Sequence, residues 1–160
     1  MNQIFDIVVI GAGPAGNSAA FHLAKSGYSV AVIDKRHEIG DKLCTGIIGN
    51  NCVELFHPEP SHIYKKVKSA TVVTPTGTAH SITKPDIQGY IVNRAAYVSS
   101  IGKKAQDIGA TYLLGKTVTS IYSNSSLASV EFKTDEIRES LSCKVIIIAT
   151  GFNSNIPTMV

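Results

Sequence analysis

Gly11, Gly13 and Gly16 stand in the order G-x-G-x-x-G, and Asp34 follows 18 positions after Gly16. The glycines leave an apolar run and open a segment of helical composition. Residues of these types in this order suit one task, the holding of a dinucleotide. Gly11 permits a tight turn. Gly13 has no Cβ, so a pyrophosphate can approach the backbone, and Gly16 lets a helix pack against the strand. The helix, entered through Pro14 and Ala15, offers the phosphates N–H groups without partners and a partial positive charge. Asp34 stands close to the ~20-residue distance expected of a carboxylate that holds ribose hydroxyls. Such a carboxylate repels a 2′-phosphate and disfavours NADP, a preference that Lys35 and Arg36 weaken slightly. The alternative is a strand–turn–helix corner with no ligand, or an aspartate that merely ends a strand. The strand-to-helix context and the spacing of Asp34 favour the dinucleotide.

The pattern continues with Ala20, four positions after Gly16, and Gly27, seven after that. The long form leans toward FAD, although NAD domains share it.

Few other residues invite chemistry. Cys44 sits near Lys42, and a neighbouring cation lowers a thiol's pKa. It is a candidate beside a cofactor; the plainer reading is a small, half-buried side chain. Cys52 and Cys143 read as buried thiols. Arg94 opens a helix, where a cation opposes the dipole, which suggests an anionic partner. Tyr90 and Tyr97 read as packing residues. The five histidines are scattered without metal-ligand spacing, so no metal is expected. No Ser-His-Asp order, paired-acid motif or phosphate-binding lysine loop supports a hydrolase or kinase.

The elements that must position these residues follow from periodicity. Ile4–Ile10 reads as a strand buried on both faces, 14–26 as a helix and 29–34 as a second strand, which together make a right-handed βαβ unit. The stretch 35–60 reads as irregular, with a short helix near 51–56. Segments 67–74 and 78–83 flank Pro75-Thr76-Gly77 and read as a hairpin, and 88–92 as a short strand. Asn93 can cap a helix over 94–108, on which Val98, Ile101, Ala105 and Ile108 share one face. A parallel strand is expected at 111–114 and an antiparallel meander at 117–122, 127–133 and 137–142. A further buried strand is expected at 144–149, beside the first. The tail from Gly151 onward carries no recognisable element. The fold class is thus α/β, with a parallel sheet and a three-stranded antiparallel meander as crossover; with the leaning of the glycine pattern it reads as a Rossmann-like FAD-binding fold.

A chain of 160 residues, 44% hydrophobic and 17% charged, is about one domain able to bury a core. A net charge of +3 with scattered basic residues gives no argument for nucleic acid. Three cysteines without a CxxC pair point to a reducing compartment, hence a cytoplasmic location. No signal peptide or apolar run of spanning length is seen. Peripheral membrane contact is left open.

Three further segments carry a family resemblance. They are "DKLCTGIIG" (Asp41–Gly49), "GYIVNRAAYVSSIGKKAQDIGA" (Gly89–Ala110) and "KVIIIATGFNS" (Lys144–Ser154). Together with the glycine turn, their order resembles the geranylgeranyl reductase family, within the para-hydroxybenzoate hydroxylase-like FAD proteins. The resemblance implies FAD and the reduction of isoprenoid carbon–carbon double bonds, with a small-molecule or isoprenoid lipid as substrate. It implies that Ala15 and Gly16 lie under the pyrophosphate and Asp34 on the adenosine ribose. It places Arg94 near the phosphates, the Val118 backbone at the adenine and Cys44 beside the flavin. The candidate cofactor contacts are therefore Gly11, Gly13, Pro14, Ala15, Gly16, Asp34, Lys35, Cys44, Thr45, Gly46, Arg94, Val118, Thr150 and Gly151.

Two departures stand out. Thr45 replaces a glycine of the family's Cys-Gly-Gly loop, and Thr150-Gly151 stands where many relatives have Asp-Gly. The chain resembles the N-terminal portion of the family's FAD-binding domain, with 60–93 as a β-rich insertion. The family's later Gly-Asp motif and its substrate domain have no counterpart. On this reading the isolated chain is expected to retain little flavin and to self-associate through uncovered apolar surface. Two rivals remain: a flavin monooxygenase of the same superfamily, and a non-catalytic or incomplete dinucleotide-binding module. Asp34→Ala is expected to weaken FAD without changing stability.

Overall fold

The computed structural model describes residues 4–42 and 44–152. The chain divides into two compact units, Met1–Asp41 with Val98–Val160, and Lys42–Tyr97.

The first unit holds β1 (Ile4–Ile10), α1 (Pro14–Lys25) and β2 (Val30–Asp34). The second holds β2's successors β3 (Ile47–Gly49), α2 (Asn50–Phe56), a single 3-10 turn at Pro60–His62, β4 (Ile63–Val67), β5 (Ser69–Val73), β6 (Ala79–Thr83) and β7 (Gly89–Val92). Helix α3 (Arg94–Asp107) follows, and the chain completes the first unit with β8 (Thr111–Leu114), β9 (Thr117–Ser123), β10 (Ala128–Thr134) and β11 (Ile137–Ile148).

Among the described residues, the first unit is built on a six-stranded sheet in the order β8-β2-β1-β11-β10-β9. The pairs β8–β2, β2–β1 and β1–β11 are parallel, and β11–β10 and β10–β9 are antiparallel. The expected α/β class, the βαβ unit and the meander are all present. The continuous apolar runs of β1 and β2 arise because both faces are covered. Val8, Ile10, Ala31 and Ile33 join Val130, Phe132 and Cys143 in one cluster. Ile7, Val9, Val30 and Val32 join Ala20 of α1 and Ala105 of α3 in the other.

The two late strands read from the sequence are one. β11 pairs with β10 from Ile137 to Cys143 and with β1 from Ser142 to Ile148. The change from alternating polar residues to a β-branched run marks a change of partner within a strand, not a turn. Its second half also departs from the expected burial: Val145 is 52% and Ile148 41% exposed. Helix α1 lies against β1 and β2, so Val145, on the same face as Ile147, stands at the limit of its cover, while Ile148 lies on the opposite face with Ile146.

Helix α3 differs from its expected face at one end. Val98 and Ala105 are buried, but Ile108 lies beyond the helix and is exposed. The Ala110 N–H turns back to the Ala105 carbonyl and the Gly109 N–H to that of Gln106, which ends the helix and takes Ile108 off its face.

In the second unit, β7 is the centre of a three-stranded antiparallel sheet with β3 and β4 at its edges, and β5–β6 form a separate hairpin. The strands β3 and β4 fall in or beside stretches read as irregular. β3 is three residues long, too short to show an alternation, and β4 carries Lys65 and Lys66 and is largely exposed. Edge strands of this kind are defined by their partner more than by their own pattern. Val67 belongs to β4 and not to the hairpin.

Candidate functional site

The glycine turn is assembled from both ends of the first unit. The Gly11 N–H donates to the Ile33 carbonyl at 2.7 Å and the Ala149 N–H to the Ile10 carbonyl at 2.8 Å, which closes β2, β1 and β11 around the turn. Gly11 has φ +111, and a Cβ there would lie 2.5 Å from the Ala149 oxygen. A Cβ on Gly16 would lie 1.8 Å from the Gly11 oxygen. Both positions are glycine because the protein itself leaves no room.

Gly13 is different. Its backbone is extended, with φ −77, and a Cβ added to it would meet no protein atom within 4 Å. Neither strain nor crowding demands glycine there. The space it leaves lies at the N-terminus of α1, where no side chain caps the helix, Pro14 takes the first position and the first turn holds no acid. Pro14 and Ala15 are exposed. An uncapped helix end beside a space kept clear of side chains fits the pyrophosphate of a dinucleotide.

Asp34 is 7% exposed at the end of β2. Its Oδ2 accepts the Ala12 N–H at 2.7 Å, and its Oδ1 accepts the Arg36 N–H at 2.8 Å. The Arg36 Nη1 stands 3.6 Å from the same Oδ1. The acid therefore belongs to the glycine turn itself. Lys35 is exposed. The N–H groups of Gly115 and Lys116 donate to the carbonyls of Arg36 and Asp34, which brings the start of β9 to the end of β2. Gly115 packs so closely on His37 that a Cβ would lie 2.7 Å from the imidazole. Val118 lies on β9 opposite Phe132 and against the core. Thr150 passes the turn, its nitrogen 3.2 Å from where a Gly11 Cβ would sit. Gly151 follows with φ +74, and the remainder of that segment from Asn153 lies outside the described residues.

The candidates of the second unit form their own cluster. Cys44 is exposed. The backbone N–H of Gly46 draws its thiol below the ordinary value, and the Arg94 charge and Thr45 add to this against some desolvation. Gly46 has φ +70, and a Cβ would meet the Val92 oxygen at 2.7 Å. The Arg94 guanidinium donates to the Lys42 carbonyl at 3.2 Å. Asn93 caps α3 as expected, its Oδ1 accepting the Ala96 N–H at 3.1 Å. Leu43 lies outside the described residues. Tyr97 is buried, and burial with Cys52 beside it pushes its hydroxyl up to about 12. Among the described residues no group of three His, Cys, Asp or Glu side chains is disposed to hold a metal ion.

One residue behind the turn escaped the sequence reading. Asn17 is fully buried in α1, and its amide reaches Ala12, Val98 and Tyr112. The signal was present: a primary amide stands among glycines and alanines on the face that packs inward.

A parallel sheet with a glycine turn, an uncapped helix and a terminal acid defines a dinucleotide-binding α/β protein. The chain belongs to the pyridine nucleotide-disulphide oxidoreductase family, which it matches over residues 5–160. It is 31% identical over 161 residues to the digeranylgeranylglycerophospholipid reductase of Methanocaldococcus jannaschii, covering 98% of this chain and 40% of that protein. It is 32% identical over 151 residues to digeranylgeranylglycerophospholipid reductase 1 of Methanosphaera stadtmanae, covering 91% of this chain and 38% of that protein. The chain thus spans about two fifths of the length of these relatives. A geranylgeranyl bacteriochlorophyll reductase-like protein from Thermoplasma acidophilum shares the fold with a TM-score of 0.84 at 22% identity, over 99% of this chain and 42% of that one. The p-nitrophenol 4-monooxygenase of Pseudomonas putida does so with a TM-score of 0.77 at 15% identity, over 99% and 44%. The resemblance to geranylgeranyl reductases is borne out by the curated relatives. The family and the shared fold support FAD as the dinucleotide.

Proposed function

We propose that this chain is the N-terminal, FAD-binding portion of a flavin-dependent oxidoreductase that reduces carbon–carbon double bonds of isoprenoid lipids. The observation that carries the reading is the open space at Gly13, at an uncapped helix end, in a chain whose curated relatives are named as digeranylgeranylglycerophospholipid reductases. The N–H groups of Ala15 and Gly16 would take the pyrophosphate, and Asp34 would accept the ribose hydroxyls with the lone pairs its protein partners leave free. Gly11, Pro14, Lys35, Val118, Thr150 and Gly151 complete the proposed contacts of this unit. For the unit Lys42–Tyr97, the roles of Cys44, Thr45, Gly46 and Arg94 toward the cofactor rest on the family resemblance. Reduced flavin, when bound, supplies a hydride to an alkene. The protein's part is to hold the cofactor, exclude water and orient the lipid.

No helix among the described residues is long and apolar enough to cross a membrane. A cytoplasmic protein that meets its lipid at the membrane surface accords with that. Calorimetric titration with FAD and with NAD tests the binding reading: FAD saturates at lower concentration, and tighter NAD binding overturns it. The polypeptide that contains this sequence, given reduced flavin and a geranylgeranyl lipid, then separates two activities by product mass. A gain of two hydrogens per double bond supports the reductase. With an aromatic substrate and oxygen in place of the lipid, a gain of one oxygen supports the alternative, a flavin monooxygenase of the same superfamily.

A further inference from the structure

Asn17 is a buried polar side chain in a helix that otherwise faces inward with Gly16 and Ala20. Burying a primary amide is costly unless it is hydrogen-bonded. Here three bonds satisfy it. Nδ2 donates to the Ala12 carbonyl at 3.0 Å and to the Val98 carbonyl at 3.3 Å, and Oδ1 accepts the Tyr112 O–H at 2.9 Å. Two of the partners are carbonyls, so the amide can face only one way. Burial pushes the Tyr112 hydroxyl above its ordinary value, which keeps it a donor. Beneath the amide, Gly102 of α3 leaves room: a Cβ there would lie 3.4 Å from Nδ2 and 2.7 Å from Ile39.

The Ala12 residue is thereby held at both ends. Its N–H goes to Asp34 and its carbonyl to Asn17. The residues flanking it, Gly11 and Gly13, are free to take many backbone conformations. The Gly11 N–H is bonded to the Ile33 carbonyl and the Gly13 carbonyl accepts the Asn17 N–H, which leaves that freedom to the two peptides that flank the Ala12 Cα. The two side-chain anchors remove it beforehand, which is how preorganisation raises affinity. Because the peptide is planar and trans, fixing the Ala12 carbonyl toward Asn17 also turns the Gly13 N–H to the opposite side.

We propose that Asn17, oriented by Tyr112, is a positioning residue that presets the Ala12–Gly13 peptide of the phosphate-binding turn. The phosphate role rests on the dinucleotide reading above. The test compares Asn17→Leu, which keeps volume and loses the amide, with Tyr112→Phe, which removes only the hydroxyl and keeps the ring packed. Amide hydrogen exchange is followed at Ala12 and at Val8 and Val9 of β1, and affinity is measured for ADP, adenosine and FAD. In Asn17→Leu, Ala12 exchange is expected to rise about tenfold with Val8 and Val9 unmoved, and ADP and FAD to weaken about tenfold with adenosine changed less than twofold. Tyr112→Phe moves the same readouts in the same direction by less, and the double variant is no worse than Asn17→Leu alone. Equal losses for ADP and adenosine, or unchanged Ala12 exchange in either folded variant, overturn the proposal. If the full polypeptide that contains this sequence takes up neither ADP nor FAD, the dinucleotide reading falls, and with it the phosphate role. Ala12 exchange then still decides whether Asn17 holds the turn.

Discussion

The Oδ2 oxygen of Asp34 accepts the backbone N–H of Ala12 at 2.7 Å, across 22 residues of sequence. The same carboxylate that is proposed to meet the ribose therefore also builds the turn that is proposed to meet the phosphates.

Replacing Asp34 thus has two consequences where the sequence alone predicts one. Asp34→Ala leaves the Ala12 N–H buried without its acceptor, which costs about 1–3 kcal/mol. It also weakens FAD by about tenfold or more through the lost charge-assisted bonds. Urea unfolding and calorimetry on the same variant read the two effects. A variant of unchanged stability would show that the Asp34–Ala12 bond contributes nothing.

Gly13 and Gly16 separate ligand from fold. In Gly13→Ala the new methyl meets no protein atom within 4 Å, so the melting temperature holds while FAD weakens by about tenfold. In Gly16→Ala the methyl would meet the Gly11 oxygen at 1.8 Å, and the overpacked turn destabilises the protein by about 1–3 kcal/mol. Equal thermal losses in the two variants would contradict the distinction.

The thiols should differ in reactivity. The Gly46 N–H and the Arg94 charge lower the exposed Cys44, whereas burial raises Cys143. Alkylation by iodoacetamide at pH 7, followed by peptide mass spectrometry, should label Cys44 at least several-fold faster than Cys143. Arg94→Met should slow Cys44 without abolishing its lead, because Gly46 remains. Preferential labelling of Cys143 would refute the assignment.

Acid should act through Asp6. Its carboxylate takes the Lys144 ammonium at 2.7 Å, the Ser29 hydroxyl at 2.7 Å and the Ser29 N–H at 2.9 Å, and these hold its pKa well below the usual range. A depressed folded value contributes stability above the unfolded pKa of about 4 and loses it as pH falls from there toward the folded value. Asp6→Asn should therefore flatten the decline in melting temperature between about pH 4 and pH 2. An unchanged acid limb in the variant would show that other carboxylates carry it.

Much of the nucleotide-binding half of this protein is local and therefore readable in one dimension. The apolar runs of β1 and β2, Pro14 at a helix start and Gly27 at its end each report a conformation set by near neighbours. The spacing from Gly16 to Asp34 is one helix and one strand long, so it too survives without the fold. What remained hidden depended on partners far away in sequence. β11 became one strand because Cys143 pairs with Ala128 on one side and Phe5 on the other. The edge strands β3 and β4 exist because β7 lies between them. Asn17 carried a visible anomaly, an amide among small residues, but its meaning required Val98 and Tyr112, 81 and 95 positions on. Sequence determines which backbone each segment prefers, since that preference is a short-range steric and hydrogen-bonding matter. Tertiary structure decides which donors find which acceptors, and so whether Gly13 is glycine for the protein's sake or leaves a space the protein does not fill.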